Sequence, residues 1–163
     1  MERDTRDQPR FPGRIRFEHI GLNVSKPVEM AQWYTENLGM RVTREGPPPV
    51  NARFLADQDG HAMFEFYTNP PDAVPDYASM DPLLLHLAFM VDDVDALCTR
   101  LIAAGARPIG QTFTTPTGDK ITMVRDPWGL ALQFIERADL MLTWDRPTGE
   151  TPRSERIKKP KHK

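Results

Sequence analysis

The chain has 163 residues, 39% of them hydrophobic, with a formal charge of -2 and a pI near 6.1. That length suits one domain with a buried core, and the weakly acidic balance offers no clustered positive field for nucleic acid or an anionic membrane. A single cysteine, Cys98, excludes an intrachain disulfide and a thiolate metal cluster.

The first thirteen residues are charged and proline-containing, too poor in apolar groups to offset the entropy of ordering, and read as a disordered tail without the apolar run of a signal peptide. Residues 15–24 alternate as a strand does, and 27–38 read as a helix that opens on Pro27 and stops at Gly39. Short strands follow at 40–45, 52–57 and 62–68, the last entered through Asp57-Gln58-Asp59-Gly60. The Pro-rich segment 69–82 is a linker. Residues 83–91 again alternate, and 92–104 form a helix begun at Asp92 and Asp93 and ended at Gly105. Cys98 lies on that helix, as inert packing. Strands at 106–109, 119–125 and 130–136 close the unit, the last entered through Asp126-Pro127-Trp128-Gly129. Residues 138–163 are a basic, mostly disordered tail. No stretch reaches the roughly 20 apolar residues that cross a bilayer, and the expectation is a cytoplasmic protein.

The pattern is one unit used twice. His19 aligns with His86, Ile20 with Leu87 and Val24 with Val91, and the two D-x-x-G turns align in their turn. Two βαβββ modules are expected, at 14–68 and 83–137, in an α+β fold.

Strand parity indicates the chemistry, because neighbouring side chains point to opposite faces. Ile20, Leu22 and Val24 share the face a helix can cover, and His19, Gly21 and Asn23 the other. Leu85, Leu87 and Phe89 oppose His86 and Ala88; Phe64 and Phe66 oppose Glu65; Leu132 and Phe134 oppose Gln133. A polar group between apolar neighbours needs partners, and a shared cation supplies them. His19 to Glu65 spans 46 positions and His86 to Gln133 spans 47. His19, Glu65, His86 and Gln133 are therefore the expected ligands of one divalent ion. Two imidazoles, a carboxylate and an amide oxygen suit Zn, Fe(II), Ni, Co or Mn without choosing among them. His61 and His162 lack such matched partners and read as surface residues.

HIGLNV with WYTENLGM, HLAFMVDDVDAL and VRDPWGLALQFIE resemble the vicinal oxygen chelate superfamily, which includes glyoxalase I, extradiol dioxygenases and bleomycin resistance proteins. The resemblance covers about residues 14–137. It implies that the paired modules curl into a half-open mixed sheet around an ion held by the first and last strands of each, and that the protein is a homodimer. The closing position is usually Glu in that family, and here it is Gln133, which leaves Glu65 as the base beside the ion. The activity so implied is a glyoxalase-like lyase or isomerase acting on a small substrate with two adjacent oxygens, Glu65 shuttling a proton and Lys120 and Arg125 holding an anionic substrate group. Two alternatives stand beside it. One is an Fe(II) ring-cleaving dioxygenase using His19, His86 and Glu65; the other is a non-catalytic drug-binding protein with Trp33, Tyr67, Phe113 and Trp128 around the pocket.

Overall fold

The structure is a computed structural model that describes residues 15–141. The N-terminal tail and most of the C-terminal tail, His162 included, lie outside the described residues. The first half runs β1 (Ile20–Asn23), α1 (Pro27–Leu38), β2 (Arg41–Glu45), β3 (Arg53–Ala56) and β4 (Met63–Tyr67), in a sheet of order β1-β4-β3-β2. The second runs β5 (Leu87–Met90), α2 (Val94–Ala103), β6 (Arg107–Pro108), β7 (Phe113–Thr114), β8 (Lys120–Arg125) and β9 (Ala131–Glu136), ordered β5-β9-β8-β6 with β7 beside β8. In each sheet the first strand lies parallel to the last, and the remaining pairs are antiparallel. The α+β architecture of two open mixed sheets follows the expectation from sequence; β7 is an addition to it.

Local chemistry explains the boundaries. In α1 the buried Pro27, Met30, Ala31 and Tyr34 recur with helical spacing. Its end is set by Gly39 at φ 66°, a left-handed turn whose N–H bonds to the Tyr34 carbonyl. In α2 the Asp93 side chain caps the helix by accepting from the Ala96 N–H at 2.9 Å. Strand β5 begins later than the alternation suggests. The Leu83 and Leu84 N–H groups bond to the side chain and carbonyl of Asp81, at 2.8 and 3.0 Å, so this stretch is a turn.

One core joins the halves. Leu22, Val24, Phe64 and Phe66 from the first sheet and Leu87, Val124, Leu132 and Phe134 from the second belong to a single buried cluster. Each fully buried Phe or Leu contributes about 1.5–3 kcal/mol. The Phe64 and Phe89 rings meet edge to face at 5.8 Å, and Trp33 meets Trp128 at 6.5 Å. Polar contacts cross the same seam: Trp33 Nε1 donates to the Ala104 carbonyl at 2.8 Å, and the Tyr34 hydroxyl to Asp126 at 2.9 Å. Apolar residues of both sheets thus enter the same core. Glu65 and Gln133 lie on the opposite faces, outside that cluster.

Candidate metal centre

Strand register arranges that outward face in rows. In the first sheet Gly21 pairs with Glu65, Glu65 with Phe54, and Phe54 with Arg44, so four residues lie side by side across β1, β4, β3 and β2. In the second sheet Ala88 pairs with Gln133 and Gln133 with Met123, and the Ile109 N–H bonds to the Met123 carbonyl. His19 precedes Gly21 by two residues, and His86 precedes Ala88 by two. Each histidine therefore stands in the same relation to its closing-strand partner.

The first pair is in contact. His19 Nε2 lies 3.4 Å from Glu65 Oε2. Two ligand atoms each about 2.1 Å from one ion, with tetrahedral or octahedral angles, stand about 3.0–3.4 Å apart, so this spacing fits a common cation. On its other side His19 Nδ1 is hydrogen-bonded to the Glu18 carboxylate. That bond leads in raising the imidazole above its ordinary pKa; partial desolvation opposes it and Glu65 adds to it. His86 is oriented likewise: its Nδ1 is 2.8 Å from the Pro82 carbonyl, an acceptor only, so Nδ1 is the donor of that bond. Both imidazoles thus have the outer hydrogen bond that orients metal-binding histidines. The Gln133 side chain is half-buried on the His86 face, and its amide has no hydrogen-bond partner among the described residues.

Of the four predicted ligands, His19 and Glu65 are brought into contact, whereas His86 and Gln133 share no hydrogen bond among the described residues. Among the described residues no three His, Cys, Asp or Glu side chains of one chain gather in a group that could hold a metal ion. His86 therefore stands apart from the His19–Glu65 pair within a single chain.

Lys120 and Arg125 have other contacts. Lys120 pairs with Asp95 of α2. Arg125 donates to the carbonyls of Tyr77 at 2.7 Å, Met80 at 2.7 Å and Gly129 at 2.8 Å, and so straps the 69–82 linker onto the second sheet. These contacts give both residues structural tasks. Of the aromatic residues singled out, Trp33 is buried, Trp128 half-buried in the core, and Phe113 exposed on β7. Tyr67 is the one beside the first pair: a Cβ added to Gly21 would stand 3.1 Å from its ring and 3.6 Å from Glu65 Oε2. The bare glycine keeps the space above Glu65 open.

Phe54 is a neighbour that strand parity alone does not identify. Its ring meets the His19 imidazole edge to face at 5.3 Å. The pairing of β3 with β4 places it there, and only a hairpin register deduced from the 57–62 turn could have signalled it.

A family model described as the Glyoxalase/Bleomycin resistance protein/Dioxygenase superfamily matches residues 16–134. Among solved structures, a glyoxalase family protein from Enterococcus faecalis is 30% identical, with a TM-score of 0.56 over 74% of this chain and 97% of its own. A glyoxalase family protein from Bacillus cereus is 17% identical, with a TM-score of 0.66 over 76% and 95%. An antibiotic binding protein from Streptomyces sp. CB03234 is 22% identical, with a TM-score of 0.58 over 77% and 100%. The last two bear on fold alone. No curated protein matches.

Proposed function

The chain belongs to the glyoxalase/bleomycin resistance protein/dioxygenase superfamily, and from that premise we propose that it is a metal-dependent lyase or isomerase of the glyoxalase type whose centre is assembled between two copies of the chain. His19 and Glu65 of one copy would hold the ion together with His86 and Gln133 of the other. The observation that carries this reading is the His19–Glu65 pair at 3.4 Å, with a second imidazole, His86, held through its Nδ1 in the other module. Glu65 and Gln133 lie on the strands next to the edge strands β1 and β5, and His19 and His86 just precede those edge strands. Exposed apolar residues lie on or before those strands: Ile15, Phe17 and Ile20 at the first, and Leu83, Leu84 and Met90 at the second. A second copy covering both edges would bury them.

When bound, the ion would supply Lewis acidity to a carbonyl of a substrate bearing two adjacent oxygens. The chain's own residues do the rest. Glu65, half-buried on the Gly21 face, takes the proton from the hydroxyl-bearing carbon beside that carbonyl and returns it to the carbonyl carbon, while the hydroxyl proton passes to the former carbonyl oxygen. Gly21 leaves room for the substrate over that carboxylate, and the Phe54 ring walls the site beside His19. Gln133 has no basic oxygen and serves as a ligand alone. That amide, where the resemblance leads one to expect a carboxylate, favours a second reading: a small-molecule binder without turnover, as the antibiotic binding protein of similar fold is named.

Metal stoichiometry tests the reading without an assay of turnover. Purified protein titrated calorimetrically with Zn or Ni should take up one ion per chain and sediment as a dimer. His19→Ala and His86→Ala should each abolish uptake with the far-UV spectrum unchanged. Co-refolded, the two variants should regain binding in mixed dimers, where one of the two shared sites has both histidines. Retained stoichiometric metal in His86→Ala would overturn the proposed ligand set. Iron found in protein as purified would move the reading to the dioxygenase, and a wild-type protein that takes up no metal to the binder.

A further inference from the structure

We propose that Arg44 is a specificity residue of this site, selecting substrates that carry an anionic group, a carboxylate above all, a few bonds away from the chelating oxygens. The inference rests on the proposed substrate site and names the class of molecule it takes.

Two independent features of β2 lead to Arg44. The first is a β-bulge. Val42 pairs with Leu55 and Arg44 with Phe54, so Thr43 is an extra residue that breaks the alternation between them. Without it, Arg44 would share a face with Val42, which packs on the core. With it, Arg44 is turned to the face of Glu65 and His19. Bulges commonly re-aim a side chain in this way beside functional sites. The second is a stack: the Arg44 guanidinium carbon lies 6.0 Å from the centroid of the Phe54 ring, whose edge contact with His19 was described above. Glu65, Phe54 and Arg44 are thus adjacent across three strands, which places Arg44 roughly 10 Å from Glu65 between backbones and nearer at the tips of long side chains.

Charge makes the arrangement specific. Among the described residues Arg44 pairs with no carboxylate; the nearby Glu45 pairs with Arg53 at 3.6 Å. An exposed guanidinium held over an aromatic ring keeps its planar donors free for a carboxylate. The corresponding position in the second sheet is Ile109, beside Met123 and Gln133, which carry no charge. Arg44 is therefore the cation in the row of Glu65 and Phe54, and a ligand with one anionic end is oriented by it.

The experiment compares two 2-oxo acids of equal length, 2-oxoglutarate with its distal carboxylate and 2-oxopentanoate without it. Each is titrated into Zn-loaded and chelator-treated full-length protein, with binding read by calorimetry and NMR shifts. The wild type should prefer 2-oxoglutarate about ten-fold, the scale of one charge-assisted bidentate contact. Arg44→Gln should collapse the ratio toward unity, Arg44→Lys should keep part of it, and Arg44→Glu should invert it. Equal weakening of both acids by Arg44→Gln, no wild-type preference, or no binding of either acid at millimolar concentration would overturn the proposal. Zn uptake is scored separately. A preference that survives in protein taking up no Zn sinks the metal reading and keeps Arg44, whereas Zn uptake with no preference does the reverse.

Discussion

Asp57 and Asp126 occupy the same place in the two modules, each opening a D-x-x-G turn into the closing strand, yet their surroundings differ. At Asp57 the turn lies at the surface: the carboxylate accepts the His61 N–H at 2.8 Å, and Gly60 at φ 73° has no close neighbour but the end of Arg41 at 4.0 Å. At Asp126 the same turn is sealed. Its carboxyl is fully buried and accepts from the Trp128 and Leu130 N–H groups at 2.9 Å and from the Tyr34 hydroxyl of the other module at 2.9 Å. The difference teaches that a repeated sequence sets the backbone of a turn, while the packing of the other module decides what its side chain does.

Glycine substitutions at the two turns break this comparison most sharply. Gly129 is at φ 94°, and a Cβ there would lie 2.7–2.8 Å from the backbone of Ala78, which cannot yield as a side-chain tip can. Gly129→Ala should cost about 3 kcal/mol or more by urea denaturation, and Gly60→Ala about 1 kcal/mol. Equal costs would refute the view that the second turn is the seat of the linker.

The pH dependence of stability sharpens the contrast. Burial pushes the Asp126 carboxyl from 3.8 up to about 6, against the lowering pull of its hydrogen bonds. The folded-state value is raised, so the stability this group contributes is full below about pH 4 and is lost as pH climbs through about 6, by up to about 3 kcal/mol. In Asp126→Asn, which keeps the acceptor toward Trp128 and Leu130, that loss should vanish, and the variant should gain on the wild type between pH 4 and pH 7. Parallel stability profiles for the two would show that the buried carboxyl does not titrate there.

The smallest expected effect concerns the half-sites. Gln133→Glu makes the second pair resemble the first, and metal should bind several-fold more tightly in titration calorimetry. Loss of the ion in this variant would show that Gln133 does not face it.

Much of this was legible because it is local. Alternation in β4 separates the buried Phe64 and Phe66 from Glu65, and Pro27, Gly39 and Asp93 mark helix ends by their own backbone preferences. Other features escaped because they depend on partners distant in sequence. The Asp81 turn takes backbone groups that the pattern LLLH assigns to a strand. Arg125, read as a candidate for substrate, reaches three carbonyls, two of them more than forty residues away. The Thr43 bulge is invisible until β2 is laid against β3.

The amino-acid order determined by itself that one unit occurs twice, where its helices begin and end, and which side of β4 and β9 carries Glu65 and Gln133. Side-chain direction along a strand has a period of two and needs no knowledge of the rest of the chain. Tertiary structure alone decided that apolar residues of both sheets meet in one core, and that His19 comes into contact with Glu65 while His86 stands apart from them. That outcome depends on which surfaces bury one another, a sum over contacts such as Phe64 with Phe89 and Tyr34 with Asp126 that no local pattern contains.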